Sequence, residues 1–148
     1  MVDSTTLSTS DEGLRQAADY LHDVLLVLQK RQTGSRSSKS PKEIPILIAA
    51  NKMDLFTALP TALTRNALEK EIGRVRKSRE KGLLDSGIGM DDAGFGEGDD
   101  WLGEMGSEDF KFGQLEEFNM VVEVMGGNVM GQNGSNIDAW WKWVGQRL

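Results

Sequence analysis

Residues 44–54 read Ile44-Pro45-Ile46-Leu47-Ile48-Ala49-Ala50-Asn51-Lys52-Met53-Asp54, and this stretch decides the fold. Its first seven residues form a short, nearly continuous apolar run rich in β-branched side chains. Such a run predicts a strand covered on both faces, the kind found in parallel sheets. Pro45 lacks an N–H and fits only near the start of the strand or at an edge. Asn51, Lys52, Met53 and Asp54 follow at the carboxyl end of the strand. In open α/β sheets that is where ligands sit.

Working outward, a helix precedes the strand. Leu14, Ala17, Ala18, Leu21, Val24, Leu25 and Leu28 recur at three- and four-residue steps and so share one face. Thr9 and Glu12 have capping-box spacing, which places the start near Ser10. A basic, Ser-rich linker at about 31–43 ends it. After the strand, a second helix is expected over about 61–80, with Leu63, Ala67, Leu68, Ile72 and Val75 buried. Arg74, Arg76, Lys77, Arg79 and Lys81 read as a solvated end that complements the helix dipole. Nine glycines fall between Gly82 and Gly113, and nine acids between Asp85 and Asp109. That composition predicts a disordered acidic insertion at about 82–109. A second strand is expected over 118–125, broken by Gly126 and Gly127. A last helix begins near Asn136, with Ile137, Trp140, Trp141, Val144 and Leu148 on one side and the tryptophans as packing residues.

Val2-Asp3-Ser4 reads as the tail of one more strand. Helix, strand, helix, strand, helix implies an α/β fold with a parallel sheet. Two full strands are few for a sheet. The expectation is therefore that 1–148 is part of one domain, interrupted by the two low-complexity stretches.

Composition narrows the chemistry. The 148 residues contain no cysteine and one histidine, which excludes disulfides, thiol nucleophiles and Cys- or His-rich metal sites. His22 lies at the edge of the first helix's apolar face and reads as a boundary or solvated residue. The net charge of −6 argues against nonspecific nucleic-acid binding. No apolar run approaches the ~20 residues of a membrane helix, and the first residues lack the basic and apolar regions of a signal peptide.

The tetrapeptide Asn51–Asp54 suits guanine. The Asp54 carboxylate has two acceptor oxygens, which match the ring N1–H and exocyclic amino group of guanine together. Adenine offers neither donor there, so such a site discriminates strongly. The aliphatic stem of Lys52 can lie over a flat base, and Asn51 can tie the loop to its neighbours. The plainer reading of the same residues is an Asn-Asp turn after a strand. Other motif matches carry less. Asp91-Asp92-Ala93-Gly94 matches D-x-x-G but has no strand before it. The run from Gly126 to Gln132 has phosphate-loop glycine spacing, yet a neutral amide stands where lysine is needed. Gly94, Gly96 and Gly98 read as flexible linker, and Asp99 and Asp100 as solvated acids.

Residues 46–54 resemble the base-recognition strand and loop of small GTPases. Val2-Asp3-Ser4, Ala18-Asp19-Tyr20-Leu21, Leu68-Glu69-Lys70-Glu71-Ile72 and Phe110-Lys111-Phe112-Gly113-Gln114-Leu115 are similar to the beta-subunit family of the signal recognition particle receptor. The resemblance implies a partial P-loop GTPase (Ras-like) domain of α/β class, its parallel sheet flanked by helices, with the N-terminal strands and phosphate loop missing. It implies GTP as ligand, read by Asn51, Lys52 and Asp54 and closed over by the backbone of Met125 and Gly126, where the family has a Ser-Ala pair. Magnesium is expected only in a complete domain, and no catalytic residue is assigned. The resemblance also implies the receptor alpha subunit as partner, no direct nucleic-acid contact, and the cytosolic face of the endoplasmic reticulum as location. Membrane attachment would come through a segment absent here. This chain is expected to be an incomplete domain that does not bind GTP alone. Two further readings stand beside this one: an Arf- or Sar-like trafficking GTPase fragment, and a nucleotide-free interaction module using the Trp-rich last helix.

Overall fold

The computed structural model describes residues 1–34, 43–85, 101–104, 106–131 and 134–148, with only the backbone described at 82–85. The motif matches at Asp91–Gly94, the Gly94 to Gly98 series, Asp99, Asp100 and Gln132 lie outside the described residues, as does most of the basic linker.

Strand β2 (Ile44–Asn51) is the middle of a three-stranded parallel sheet, between β1 (Val2–Asp3) and β3 (Met120–Gly126). Its pairing with β3 runs from Ile44 opposite Met120 to Ala50 opposite Gly126, while β1 meets it only at Ala50 and Asn51. The Ile44 N–H points toward β3, donating to the Asn119 carbonyl at 2.8 Å. Alternation then turns the nitrogen of Pro45 to the opposite edge, beyond the reach of β1, so no ladder bond is lost.

Strand β3 begins two residues later than the sequence suggests. Phe112–Phe118 forms a 3₁₀ helix, capped by Asn119 in the left-handed conformation at φ 55°. An asparagine tolerates that conformation better than most residues, and it turns the chain into the ladder.

The helices are α1 (Ser4–Thr9), α2 (Asp11–Gly34), α3 (Thr61–Asp85) and α4 (Asp138–Gly145). Asp3 caps α1, accepting from the Thr5 and Thr6 N–H groups. The start of α2 lies where the sequence places it, but Ser10 supplies the cap. Its hydroxyl accepts from the Gly13 N–H at 3.0 Å, while the Thr9 hydroxyl donates to the Thr5 carbonyl. Both long helices run on into the stretches expected to be linker or insertion.

Met120 and Val122 of β3 join Ile48, Ala18, Leu25, Leu68, Ile72, Phe112 and Leu115 in one core cluster. Successive strand residues face opposite ways, so Glu123 faces the other side. There it accepts from Trp143 Nε1 at 2.8 Å and from Arg147 of the α4 end. Helix α4 thus lies against β3 on the second face without a buried residue of its own, and Pro45, Leu47 and Ala49 of β2, which share that face, are half-buried, so the sheet is less fully covered there than its apolar run predicts. Trp140 and Trp143 pack as expected, whereas Trp141 is exposed.

Four expectations need correction. Leu63 is exposed, because Thr64 takes the inward position of the first turn and its hydroxyl donates to the Leu59 carbonyl at 3.1 Å. His22 is not a boundary residue: it is 1% exposed, on the same stripe as Ala18, Leu25 and Gln29. Arg76 is not solvated at the helix end but 2% exposed. Finally, the described part of 101–109 packs instead of remaining disordered. Leu102 is fully buried, and the Gln29 side-chain amide donates to the Trp101 carbonyl at 2.9 Å and accepts from the Gly103 N–H.

Candidate functional site

Beyond the last rung of β2 the chain must turn sharply, and Lys52 does so with φ 63°, in the left-handed region. For a residue with a Cβ that conformation is costly and persists only where the surroundings enforce it. Three anchors enforce it. The Leu55 N–H closes a turn onto the Lys52 carbonyl at 3.1 Å, and the Met53 N–H donates to the Gly127 carbonyl at 3.1 Å. Asn51 Oδ1 accepts from the Val129 N–H at 3.0 Å, so it ties the loop to its neighbours as the sequence reading expects. From the opposite edge, Lys52 Nζ donates to Asp3 Oδ2 at 2.6 Å.

Asp54 is exposed on this braced loop, and among the described residues no donor is bonded to its carboxylate. Gly131 of the segment after β3 approaches it closely: a Cβ on Gly131 would stand 2.9 Å from Asp54 Oδ2 and 2.8 Å from Asn128 Nδ2. Asn128, itself buried, is held by bonds in both directions with the Asn136 backbone and by its side-chain amide donating to the Gly134 carbonyl. The described residues of this loop, 127–131 and 134–136, thus form a wall beside the carboxylate.

Met125 and Gly126, the two residues expected over the base, are the last rungs of the β3 ladder, opposite Ala49 and Ala50. The Met125 carbonyl accepts from Trp140 Nε1 at 3.1 Å, and Gly126 lies against the Met53 and Thr61 side chains. The groups bonded to the tetrapeptide itself come from further on, at Gly127 and Val129. Sequence reasoning missed these two and Asp3. The glycine pair at 126–127 marks only a strand end, and nothing in the sequence sets the register.

The electrostatics favour an ordered loop. Burial works to raise the Asp3 carboxyl, but hydrogen bonds from Lys52, Thr5 and Thr6 overcome it and hold the group well below the usual carboxylate range. Asp3 is therefore ionised at any physiological pH, and Lys52 keeps its partner. Among the described residues no three His, Asp or Glu side chains gather to hold a metal ion. No helix among them is long and apolar enough to cross a membrane.

Residues 1–119 match the family described as "Signal recognition particle receptor beta subunit". The chain belongs to that family. It is 32% identical over 149 residues to the signal recognition particle receptor subunit beta of Saccharomyces cerevisiae, an alignment that takes in all of this chain and 53% of the yeast protein. Among solved structures, the signal recognition particle receptor SRb–GDP–Mg of Chaetomium thermophilum superposes with a TM-score of 0.81 at 48% identity, covering 100% of this chain and 59% of that one. The SRb–GTP/SRX complex from the same organism gives 0.80 at 48% identity, over 48% of that chain. The chain thus spans about half the length of the relatives it matches, and its three-stranded sheet with flanking helices is part of their GTPase domain fold.

Proposed function

We propose that Asn51, Lys52 and Asp54 read the guanine base of GTP or GDP, and that the protein serves as the GTP-binding beta subunit of a signal recognition particle receptor in cotranslational targeting to the endoplasmic reticulum. One observation carries the base-reading part. A carboxylate at the C-terminal end of a central parallel strand is exposed, without a donor among the described residues, and mounted on a loop fixed from both neighbouring strands. The Asp54 oxygens would accept from guanine N1–H and the 2-amino group. The Lys52 stem, drawn taut by Asp3, would lie along the base. Asn51 would hold the loop through Val129. Met125 and Gly126, at the end of β3, would close over the base through their backbone. Nothing in that arrangement moves a proton or activates water, so hydrolysis is not assigned to these residues.

Family membership supports nucleotide binding, since the Chaetomium relatives are structures with GDP, GDP–Mg and GTP. The SRb–GTP/SRX complex supports work inside a receptor assembly, and we take the receptor alpha subunit as its partner and the endoplasmic reticulum membrane as its location. Magnesium would enter with the phosphates. The sequence holds no G-x-x-x-x-G-K-[ST] motif, so the base contacts of these residues alone give affinity no tighter than a Kd of about 1 mM, or about −4 kcal/mol, too weak to hold GTP at ordinary concentrations.

The test is an NMR titration of the ¹⁵N-labelled chain with millimolar GDP, ADP and xanthosine diphosphate. GDP is expected to shift the amides of residues 51–54 and 127–129, and ADP to leave them in place. Asp54→Asn should exchange the preference. An amide presents one acceptor and one donor, which fits the N1–H and C2 carbonyl of xanthine instead of guanine. Equal responses to GDP and ADP, or none, would refute the reading.

A further inference from the structure

The Asp3 carboxylate is divided between two elements. Oδ1 accepts from the Thr5 and Thr6 N–H groups and the Thr5 hydroxyl, at 3.0, 3.3 and 2.7 Å, and so caps α1. Oδ2 accepts from Lys52 Nζ at 2.6 Å. The next residue continues the brace, because the Ser4 carbonyl accepts from the Leu59 N–H at 3.1 Å. Two adjacent residues at the β1–α1 junction therefore hold both ends of the loop between β2 and α3. Lys52 and Asn119 are the two non-glycine residues with positive φ among those described, and Asn119 has a helix-capping role. Lys52 has none. The Leu55, Met53 and Val129 bonds fix its backbone turn, and among the described residues Asp3 holds its side chain.

We propose that Asp3 is a positioning residue of the base-reading loop, holding the Lys52 side chain above its left-handed turn so that the lysine stem and the Asp54 carboxylate face the guanine together. This rests on the base-reading role of Asn51, Lys52 and Asp54. Asp3 touches no nucleotide; it acts through Lys52. A side chain that merely capped α1 would be replaceable by any good cap. One that also holds Lys52 is not.

That difference defines the experiment. Asp3→Asn keeps an oxygen for the Thr5 and Thr6 N–H groups but turns an amide N–H toward the Lys52 ammonium, donor against donor. Asp3→Ser keeps a favoured cap and is too short to reach Lys52; it stands in if the Asn variant does not fold. Thermal melts and the GDP and ADP titrations are run on each in the whole chain. A partly exposed pair of this kind is worth a modest factor. The expected result is GDP affinity weakened about two- to five-fold, with the melting temperature close to wild type. In a Lys52→Met background, adding Asp3→Asn should produce no further loss of GDP affinity. Unchanged GDP affinity in both Asp3 variants, or the same loss in the Lys52→Met background, would overturn the proposal while leaving base reading intact. A wild-type chain that does not distinguish GDP from ADP would overturn both.

Discussion

Replacing Arg76 should loosen a segment that lies 26 to 33 residues away in sequence. The guanidinium is 2% exposed and bonds two carbonyls, that of Leu102 from Nη1 at 3.0 Å and that of Ser107 from Nη2. It also lies over the Trp101 ring, 4.2 Å from the centroid, with Phe110 at 5.8 Å. Hydrogen bonds from a charged donor contribute about 1.5–3 kcal/mol each, and a desolvated cation–π contact about 0.5–2 kcal/mol. Burial opposes this: it lowers the Arg76 pKa, against the weaker pull of Glu80 and Asp109. Removing one partner of such a buried network costs about 3–5 kcal/mol. Arg76→Met keeps the apolar stem and so falls at the lower end, about 3 kcal/mol.

For a chain of this size that corresponds to a fall of roughly 6–12 °C in melting temperature. The readouts are a circular-dichroism melt and hydrogen exchange of the amides at 102–104 and 106–109. Those amides should lose protection in the variant while the β2–β3 ladder keeps it. Arg76→Lys should not rescue, because a single ammonium lacks the planar fork that spans two carbonyls. A melt within about 1 kcal/mol of wild type, with unchanged exchange over this segment, would refute the reasoning and leave the Gln29 bonds and the burial of Leu102 and Phe110 as the fastening.

Two other outcomes follow from buried groups. The His22 pKa is lowered by burial and then by Arg79, against Asp23 and Asp19, which raise it. The unfolded chain therefore binds the proton more readily, so His22 contributes stability that is complete above its unfolded value near 6.5 and is lost as pH falls from there through the folded value. Urea midpoints between pH 7 and 5 should fall, and His22→Gln should flatten that slope. Gly127→Ala would place a Cβ 2.5 Å from the Asn136 carbonyl oxygen and 2.8 and 2.9 Å from two Trp140 ring carbons. It should cost about 1–3 kcal/mol and alter the near-UV signal of Trp140, measurable by a melt and by near-UV circular dichroism.

The sheet was legible because its evidence is local. The apolar run before Asn51 and the β-branched run around Val121 and Val122 each announce a strand, and the helices between them leave only a parallel connection. The segment 101–109 was not legible for the opposite reason. Its glycines and acids describe a chain that cannot form a core of its own, which is a correct statement about the segment in isolation. What orders it is a set of polar side chains on other elements, Gln29 of α2 and Arg76 of α3. A glutamine on an apolar stripe and an arginine in a basic run look like imperfections and a solvated end. Only the fold brings them to one segment, Gln29 to the Trp101 carbonyl and the Gly103 N–H and Arg76 to the Leu102 and Ser107 carbonyls, and the buried Leu102 then adds apolar area that composition averages away.

The site divides along the same line. Asn51, Lys52 and Asp54 stand together in sequence, so their chemistry can be read from spacing. The groups that orient them come from both flanking strands and depend on register. The resemblance places Met125 and Gly126 over the base, but it does not say which residues bond the tetrapeptide. In the structure Gly126 is still a rung, opposite Ala50, and the Gly127 N–H donates to the Ala50 carbonyl at 2.9 Å. The chain therefore leaves the ladder at Gly127, and its carbonyl reaches the Met53 N–H. Because strand residues alternate in direction, a shift of one residue exchanges which backbone groups face a neighbour. The same shift carries Val129 to Asn51 and Gly131 to Asp54. The surroundings of the tetrapeptide thus depend on β3 ending at one residue and not the next, and a side chain at Gly131 would have to displace the Asp54 carboxylate or the Asn128 amide.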